Sequence, residues 1–176
     1  LSAERFHEAL RLWNAPESYG FSSWVSISDR HWALEKRLAQ GELSDIYAGR
    51  LARWPTELVI LKILRDRQNA GLFDNEWDAL QKLHQSNAPG ADTFTSLLPQ
   101  PVVHGDLTAG SFSGQRVSIF RWAPGFRYTF TDVIRAYPQG IPPRASIWVW
   151  RRILEVLSFI HASGMAHGAV LPDHLL

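Results

Sequence analysis

Two oppositely charged residues, Lys62 and Glu76, stand inside stretches of the sequence that are otherwise apolar. Lys62 lies in the run Leu58–Leu64, which has apolar residues at both alternating sets of positions and predicts a strand buried on both faces. An unpaired ammonium group in such a place is strongly unfavourable, so the lysine requires an anionic partner or ligand. The chemistry that Lys62 predicts is the binding of a negatively charged group.

Glu76 presents the same problem with the opposite sign. The spacing of Phe73, Leu80 and Leu83 predicts an amphipathic helix, and Glu76 falls between the first two, on the stripe expected to face inward. Each residue alone also fits a surface explanation, a lysine that reaches solvent and a glutamate at a helix edge. Together, in neighbouring elements, they predict a buried ion pair directed at something negative.

Composition narrows the classes of function. The 176 residues are 45 % hydrophobic and 20 % charged, which suits one core, or one small domain plus part of another. A formal net charge of +1 gives no reason to expect nucleic acid or an anionic membrane as a partner. Cysteine is absent, so disulfides, thiolate metal sites and cysteine nucleophiles are excluded.

The location and extent of the chain are also expectations from the sequence. The richest apolar run, residues 146–160, contains Arg151, Arg152 and Glu155 and does not predict a membrane span. No signal-peptide pattern follows the first residue, and with the absence of cysteine this predicts a cytoplasmic location. The chain begins with Leu rather than Met, and we expect it to be a fragment at both ends.

The apolar patterning predicts an α+β fold with a five-stranded antiparallel sheet over residues 32–122 and one helix packed on it. Gly41 occupies the first turn, where a hairpin commonly takes glycine for its positive φ. We expect three parts: a helical extension over residues 1–31, the sheet domain over 32–124, and a long helix with a terminal loop over 125–176. The predicted strands are residues 33–40, 44–51, 57–64, 97–107 and 116–122. The predicted helices are residues 3–13, 73–84 and 145–162, and the inner face of the last is expected to carry Ile147, Trp150, Ile153 or Leu154, Leu157 and Ile160.

The order of turn glycine, strand lysine, helix glutamate and His-Gly loop resembles the N-terminal lobe and catalytic loop of the protein-kinase-like fold, over about residues 32–176. The resemblance implies that Lys62 holds the phosphates of ATP and that Glu76 is its helix partner. It also implies a phosphate-binding loop that keeps one of three glycines, and a hinge whose backbone meets the adenine. The positions implied to contact the nucleotide are Ala39, Gly41, Ser44, Ile46, Lys62, Glu76, Arg121 and Ala123.

The same resemblance implies that the catalytic loop is degenerate. The family pattern H-R-D-L-K-P-x-N corresponds to residues 167–174. It places Ala169 at the aspartate that accepts the hydroxyl proton, Leu171 at the basic residue, and His174 at the asparagine that holds magnesium. Alanine supplies neither a base nor a ligand, and imidazole is a poor ligand for a hard cation. We therefore expect no catalytic residue and no magnesium site in this loop.

A second segment, His104-Gly105-Asp106-Leu107, is a closer literal match to the His-Gly-Asp loop of small-molecule kinases. A strand-like segment precedes it where a long helix is expected, and the residue five positions after Asp106 is Ser111 rather than Asn. We interpret Asp106 as an aspartate at the end of a strand.

Three interpretations of the function remain. The first is a kinase-like ATP-binding domain, a catalytically impaired pseudokinase that serves a protein partner as a regulatory or scaffolding module. The second is an active Ser/Thr-type protein kinase with atypical residues, completed by a metal-binding segment beyond residue 176. The third is a protein-binding module without nucleotide, in which Lys62 and Glu76 are a structural pair and Trp13, Trp24 and Trp32 contribute to an apolar docking surface.

Overall fold

A computed structural model describes residues 23–53, 56–125, 128–168 and 170–175. The predicted helix at residues 3–13, with Trp13, lies outside the described residues, as does Ala169. The chain divides into two compact units, a sheet unit of residues 1–77 and 100–122 and a helical unit of residues 78–99 and 123–176. Each unit is described by itself.

The sheet unit contains seven antiparallel strands, in the order β5-β7-β4-β3-β2-β1-β6. The α+β fold is confirmed, and five of the strands are those predicted. The other two, β1 and β6, are four and two residues long, too short to show an alternating pattern in the sequence. The strands are β1 Trp24–Ile27, β2 Arg30–Gln40, β3 Ser44–Leu51, β4 Leu58–Leu64, β5 Gln100–Asp106, β6 Ala109–Gly110 and β7 Arg116–Arg121.

The central strand β4 shows why the sheet has two different faces. Val59, Leu61 and Ile63 point to one face and are at most 1 % exposed, whereas Lys62 points to the other face. Burial of each such aliphatic side chain stabilises the fold by roughly 1.5–3 kcal/mol. The core on the first face is formed by Val25, Ile27, Trp32, Leu51, Val59, Leu61, Ile63, Leu107, Val117 and Ile119.

The sheet is curled. Strands β5 and β6 stand at opposite ends of the strand order, yet only residues 107 and 108 separate them in the chain. Three virtual Cα–Cα bonds span about 11 Å, so the two ends of the sheet must lie close together. Strand β6 then pairs with β1, where a Cβ on Gly110 would lie 2.1 Å from the carbonyl oxygen of Trp24. Only glycine allows this approach.

Helix α1 (Ala70–His84) packs on the second face of the sheet through its first half, residues 70–77. It follows a 3₁₀ turn whose N-cap, Asp66, accepts a hydrogen bond from the Gln68 N–H. Phe73 is 2 % exposed, and the Trp77 ring stacks on the His104 ring of β5 with a centroid distance of 5.0 Å. The predicted helix on the sheet is present and begins three residues earlier than expected.

The helical unit contains the rest of α1 together with α2 (Ala91–Phe94), α3 (Phe130–Ala136) and α4 (Pro143–Ala162). Its core is formed around Leu83, Phe159 and Ile160. No helix among the described residues is both long enough and apolar enough to cross a membrane.

The predicted inner face of α4 is correct near the end of the helix and wrong in its first half. Ile160 is 5 % exposed and Leu157 packs against the same core cluster, as predicted, whereas Ile147, Trp150 and Leu154 are 60–69 % exposed. The helical period indicates the direction of an apolar face but not how much of its length other residues cover.

The tryptophans predicted to form a docking surface are placed differently by the structure. Trp32 is fully buried in the core of the sheet unit, and Trp24 is half-buried with its ring edge-on to that of His31. Neither residue supplies the exposed apolar area that a docking surface on the sheet unit would require.

Candidate functional site

The structure joins Lys62 and Glu76 in an ion pair. The Lys62 Nζ atom of β4 lies 2.6 Å from Glu76 Oε1 of α1 and also contacts the other carboxylate oxygen. The predicted approach of the two side chains is therefore confirmed. The ammonium group also lies 5.4 Å from the centre of the Phe73 ring, a cation–π distance.

The predicted burial of Glu76 is wrong. The Glu76 side chain is 54 % exposed and the Lys62 side chain is 24 % exposed. The inward stripe of α1 is Phe73, Trp77 and Leu80, and Glu76 lies at its border, where a glutamate can reach the sheet from the side. Because solvent screens a pair of this exposure, we assign it a positioning role rather than a large share of the stability.

Three of the predicted nucleotide-contacting residues lie in one row across the sheet. Ala39 of β2 is paired with Ile46 of β3, and Ile46 is paired with Lys62 of β4. Paired residues on adjacent strands point to the same face, so these side chains share the face that carries α1. Ser44, two residues before Ile46, points to the same face and is 3 % exposed.

The turn between β2 and β3 is held by Arg65, just after β4. Its guanidinium donates to the carbonyl oxygens of Gly41, at 2.6 Å, and of Glu42, and its backbone N–H donates to Leu43 O at 3.0 Å. The positive φ expected for Gly41 is wrong. A Cβ at this glycine would instead lie 3.2 Å from the carbonyl oxygen of Ser44, to which the Gly41 N–H donates.

The predicted adenine-contacting residues fall in different units. Arg121 ends β7 in the sheet unit, is exposed, and donates from Nε to Glu57 Oε1 at 2.6 Å. Ala123 belongs to the helical unit.

The terminal loop lies in the helical unit. Leu171 is 51 % exposed, and Pro172–His174 forms a 3₁₀ turn in which the His174 N–H donates to Leu171 O. The carbonyl of Leu175 accepts from the N–H of Phe130, the first residue of α3. Ala169, the position implied for the catalytic base, lies outside the described residues. Within the described part of the chain, no group of three or more His, Asp or Glu residues could hold a metal ion.

Sequence reasoning missed a polar cluster beside the ion pair, which we call the Asp74 cluster: Asp74, His104, Arg116 and Ser118. Arg116 of β7 donates to the Asp74 carboxylate of α1 from Nε at 2.8 Å and Nη2 at 2.9 Å. His104 Nε2 lies 2.8 Å from Asp74 Oδ1, and His104 Nδ1 lies 2.9 Å from Ser118 Oγ. No signal in the sequence joins these residues, because each is an ordinary polar position of its own element.

The direction of these hydrogen bonds follows from charge. The Arg116 hydrogen bonds, and then that from His104, hold the pKa of Asp74 below its usual range, although burial acts in the opposite direction. A carboxylate only accepts, so His104 Nε2 must donate to it, and in the neutral ring Nδ1 accepts from the Ser118 hydroxyl. This is the polarity of a Ser-His-Asp relay. Ser118 is only 3 % exposed, so no substrate can reach it, and the cluster is structural.

Asp74→Asn is expected to reduce the change in the free energy of unfolding between pH 7 and pH 3. A carboxyl whose folded-state pKa is lowered adds stability above its unfolded-state pKa of about 4, and this stability is lost as the pH falls through the folded-state value. At neutral pH we expect a loss of about 1 kcal/mol in the free energy of unfolding, since the Asp74 side chain is about one-third exposed. Urea unfolding from pH 7 to pH 3 measures the difference. If the free energy of unfolding changes equally with pH in the variant and in the unmodified chain, the prediction is contradicted. The control is Asp78→Asn, which removes an exposed carboxylate from the same helix.

Asp106 is the last residue of β5, which confirms its interpretation as an aspartate at the end of a strand. Its carboxylate accepts hydrogen bonds from Arg67 at 3.2 Å and from Arg116 at 3.3 Å. It therefore serves as an outer partner of the Asp74 cluster.

The structure thus groups Lys62 and Glu76 with the row of Ala39 and Ile46 on one face of the sheet unit. No protein-family model matches the chain, and the search of curated proteins found no similar protein. Functional inference therefore depends on this geometry.

Proposed function

We propose that this chain is a kinase-like ATP-binding domain that is catalytically impaired and acts as a regulatory or scaffolding module. The observation that carries the proposal is the Lys62–Glu76 pair. A carboxylate on the helix fixes a partly exposed ammonium group on the helix-bearing face of the sheet. An ammonium group held in this way is suited to bind the phosphates of a nucleotide, since it keeps one further N–H donor.

The surroundings of Lys62 support the same proposal. Ile46 and Ala39 offer a row of small and aliphatic side chains beside the ammonium group, and the turn at Gly41 is fixed by Arg65. The five longer strands, with a helix inserted between the third and fourth of them, have the connectivity that the resemblance to kinase N-terminal lobes implies. Under this proposal ATP lies against that row with its phosphates at Lys62.

The regulatory part of the proposal comes from the terminal loop. Leu171 and His174 are the residues at positions where a kinase would neutralise phosphate charge and hold magnesium. A domain that binds ATP without these groups would act through the surface that its ATP-bound state offers to a protein partner. The alternative of an active Ser/Thr-type kinase requires other residues to supply these groups.

Isothermal titration with ATP, with and without magnesium, tests the proposal. We expect saturable binding that Lys62→Ala weakens by about 1–3 kcal/mol, or roughly 5- to 150-fold, because a charged hydrogen-bonding partner is lost. Lys82→Ala removes an exposed lysine from the far end of α1 and should leave the affinity unchanged. Absence of binding at millimolar ATP would refute the proposal, and equal affinity of the Lys62→Ala variant would make the ion pair purely structural.

A protein-binding module without nucleotide is the second candidate. It is favoured by the exposed apolar side chains of α4, where Ile147, Trp148, Trp150 and Leu154 are each at least 60 % exposed. Contiguous apolar exposure of this kind is typical of an interaction surface. This candidate predicts no heat of ATP binding and no effect of Lys62→Ala beyond stability.

A further inference from the structure

We propose that Asp74 is a positioning residue that holds α1 in the orientation in which Glu76 meets Lys62, and that its contact with His104 and Arg116 thereby controls the nucleotide site. The inference deepens the proposed function and depends on it for its nucleotide part. Its geometric part, the control of the helix by Asp74, stands on contacts within the sheet unit alone.

The two carboxylates hold opposite flanks of the helix. Successive residues of an α-helix are rotated by about 100°, so Asp74 and Glu76 lie about 200° apart around the axis of α1. Phe73 and Trp77 lie between them and face the sheet. An apolar stripe alone permits the helix to roll on the sheet, and one ionic contact on each flank prevents that roll.

The anchors lie on three adjacent strands. Lys62 of β4 is paired with Ser118 of β7, and Ser118 is paired with His104 of β5. Glu76 thus contacts β4, whereas Asp74 contacts β5 and β7. The helix bridges the sheet from one side of β7 to the other, so release of one anchor changes the position of the other.

The Asp74 anchor is the stronger of the two. Its carboxylate accepts two hydrogen bonds from the fork of Arg116 and one from His104, all at 2.8–2.9 Å. Such bidentate charged contacts fix geometry as well as adding energy. Trp77 stacks on the His104 ring and Phe73 lies 5.8 Å from it, so the imidazole is held from its ring face as well as by its two nitrogens. Glu76, by contrast, is more than half exposed and has one described cationic partner.

The first arm of the test needs no nucleotide. Amide hydrogen exchange of residues 70–77 is expected to be about tenfold faster in Asp74→Asn than in the unmodified chain, because the helix loses its charged anchor. Exchange in β3 and β4 should be unchanged, and Asp78→Asn, which makes the same chemical change at an exposed position of α1, should have no effect. If Asp74→Asn does not fold, Arg116→Gln is used in its place. This substitution removes two of the three hydrogen-bond donors to the Asp74 carboxylate. Equal exchange in the variant and the unmodified chain would overturn the inference.

The second arm measures ATP affinity in a double-mutant cycle. We expect Asp74→Asn to raise the Kd for ATP about three- to tenfold in the unmodified chain and to have no further effect in the Glu76→Gln background, because Asp74 acts through Glu76. If the loss of ATP affinity in the double variant equals the product of the losses in the two single variants, the inference is overturned, since a merely structural role of Asp74 predicts that result. If the unmodified chain binds no ATP, the proposed function fails, and faster exchange of residues 70–77 in the first arm still supports the control of α1 by Asp74.

Discussion

Incubated with radiolabelled ATP and magnesium, this chain is expected to incorporate no label above background, either in itself or in an added protein substrate. Phosphoryl transfer depends on positioning and on stabilisation of charge, so loss of one group alone need not abolish it. Here Ala169, Leu171 and His174 occupy the implied positions of the base, the basic residue and the metal ligand. General acid–base catalysis alone contributes about 10²- to 10⁴-fold, and the other two losses add to that deficit.

Two variants sharpen the phosphate-transfer experiment. Lys62→Ala reports whether any label depends on the proposed site, and a chain with Ala169→Asp and His174→Asn restores the carboxylate and the amide of the implied loop. We expect the restored chain to exceed the unmodified chain if the loop has kept its backbone geometry. Incorporation by the unmodified chain that is lost in Lys62→Ala would overturn the interpretation as an impaired kinase and favour the active Ser/Thr-type alternative.

Trp32→Ala is expected to lower the free energy of unfolding by about 3–5 kcal/mol, the largest loss of stability that we expect from a single substitution. Trp32 is fully buried, is the largest of the completely buried side chains, and belongs to the core enclosed by the curled sheet. The curl leaves little freedom for neighbouring strands to collapse into the cavity. Urea denaturation monitored by circular dichroism measures the loss.

Trp32→Phe is the matched variant. The indole N–H of Trp32 has no hydrogen-bond partner among the described residues, so phenylalanine removes an unsatisfied donor while it keeps most of the apolar contact. We expect a cost of less than about 2 kcal/mol. Trp148→Ala, at a position 62 % exposed, should change stability by less than about 0.5 kcal/mol. A loss below about 1 kcal/mol for Trp32→Ala would show that the core is loosely packed.

The ion pair was predictable because each charge interrupts a pattern. Lys62 breaks the apolar run of β4, and Glu76 lies close to the apolar stripe of α1, so both required partners. The exposure of Glu76 was not predictable, because a helical period locates a stripe to within about one residue and cannot separate its centre from its border. The implied nucleotide contacts of Ala39, Ser44 and Ile46 remain predictions. The structure places these side chains on the same face of the sheet as Lys62.

The Asp74 cluster could not be found in the sequence for a different reason. Asp74 is 30 residues from His104 and 42 from Arg116, and each of these residues fits the polar face of its own element. Only the register of β5 against β7 places His104 next to Ser118, and only the packing of α1 places Asp74 against both strands. Long-range polar contacts of this kind depend on the tertiary fold, which local patterning does not specify.

The curl of the sheet also sets the order in which this unit can assemble. Strands β2, β3 and β4 pair with their neighbours in the chain, so they close short loops. The closure of β6 on β1 joins groups as far apart as Ser23 and Ser111, which are separated by 88 residues, at an entropic cost of about 4 kcal/mol. We infer that the meander of β2–β4 forms first and that this seam closes last, since contacts of high sequence separation are formed late. Because β1 packs Val25 beside Trp32, the same seam is where opening of the folded unit would first admit water to its core.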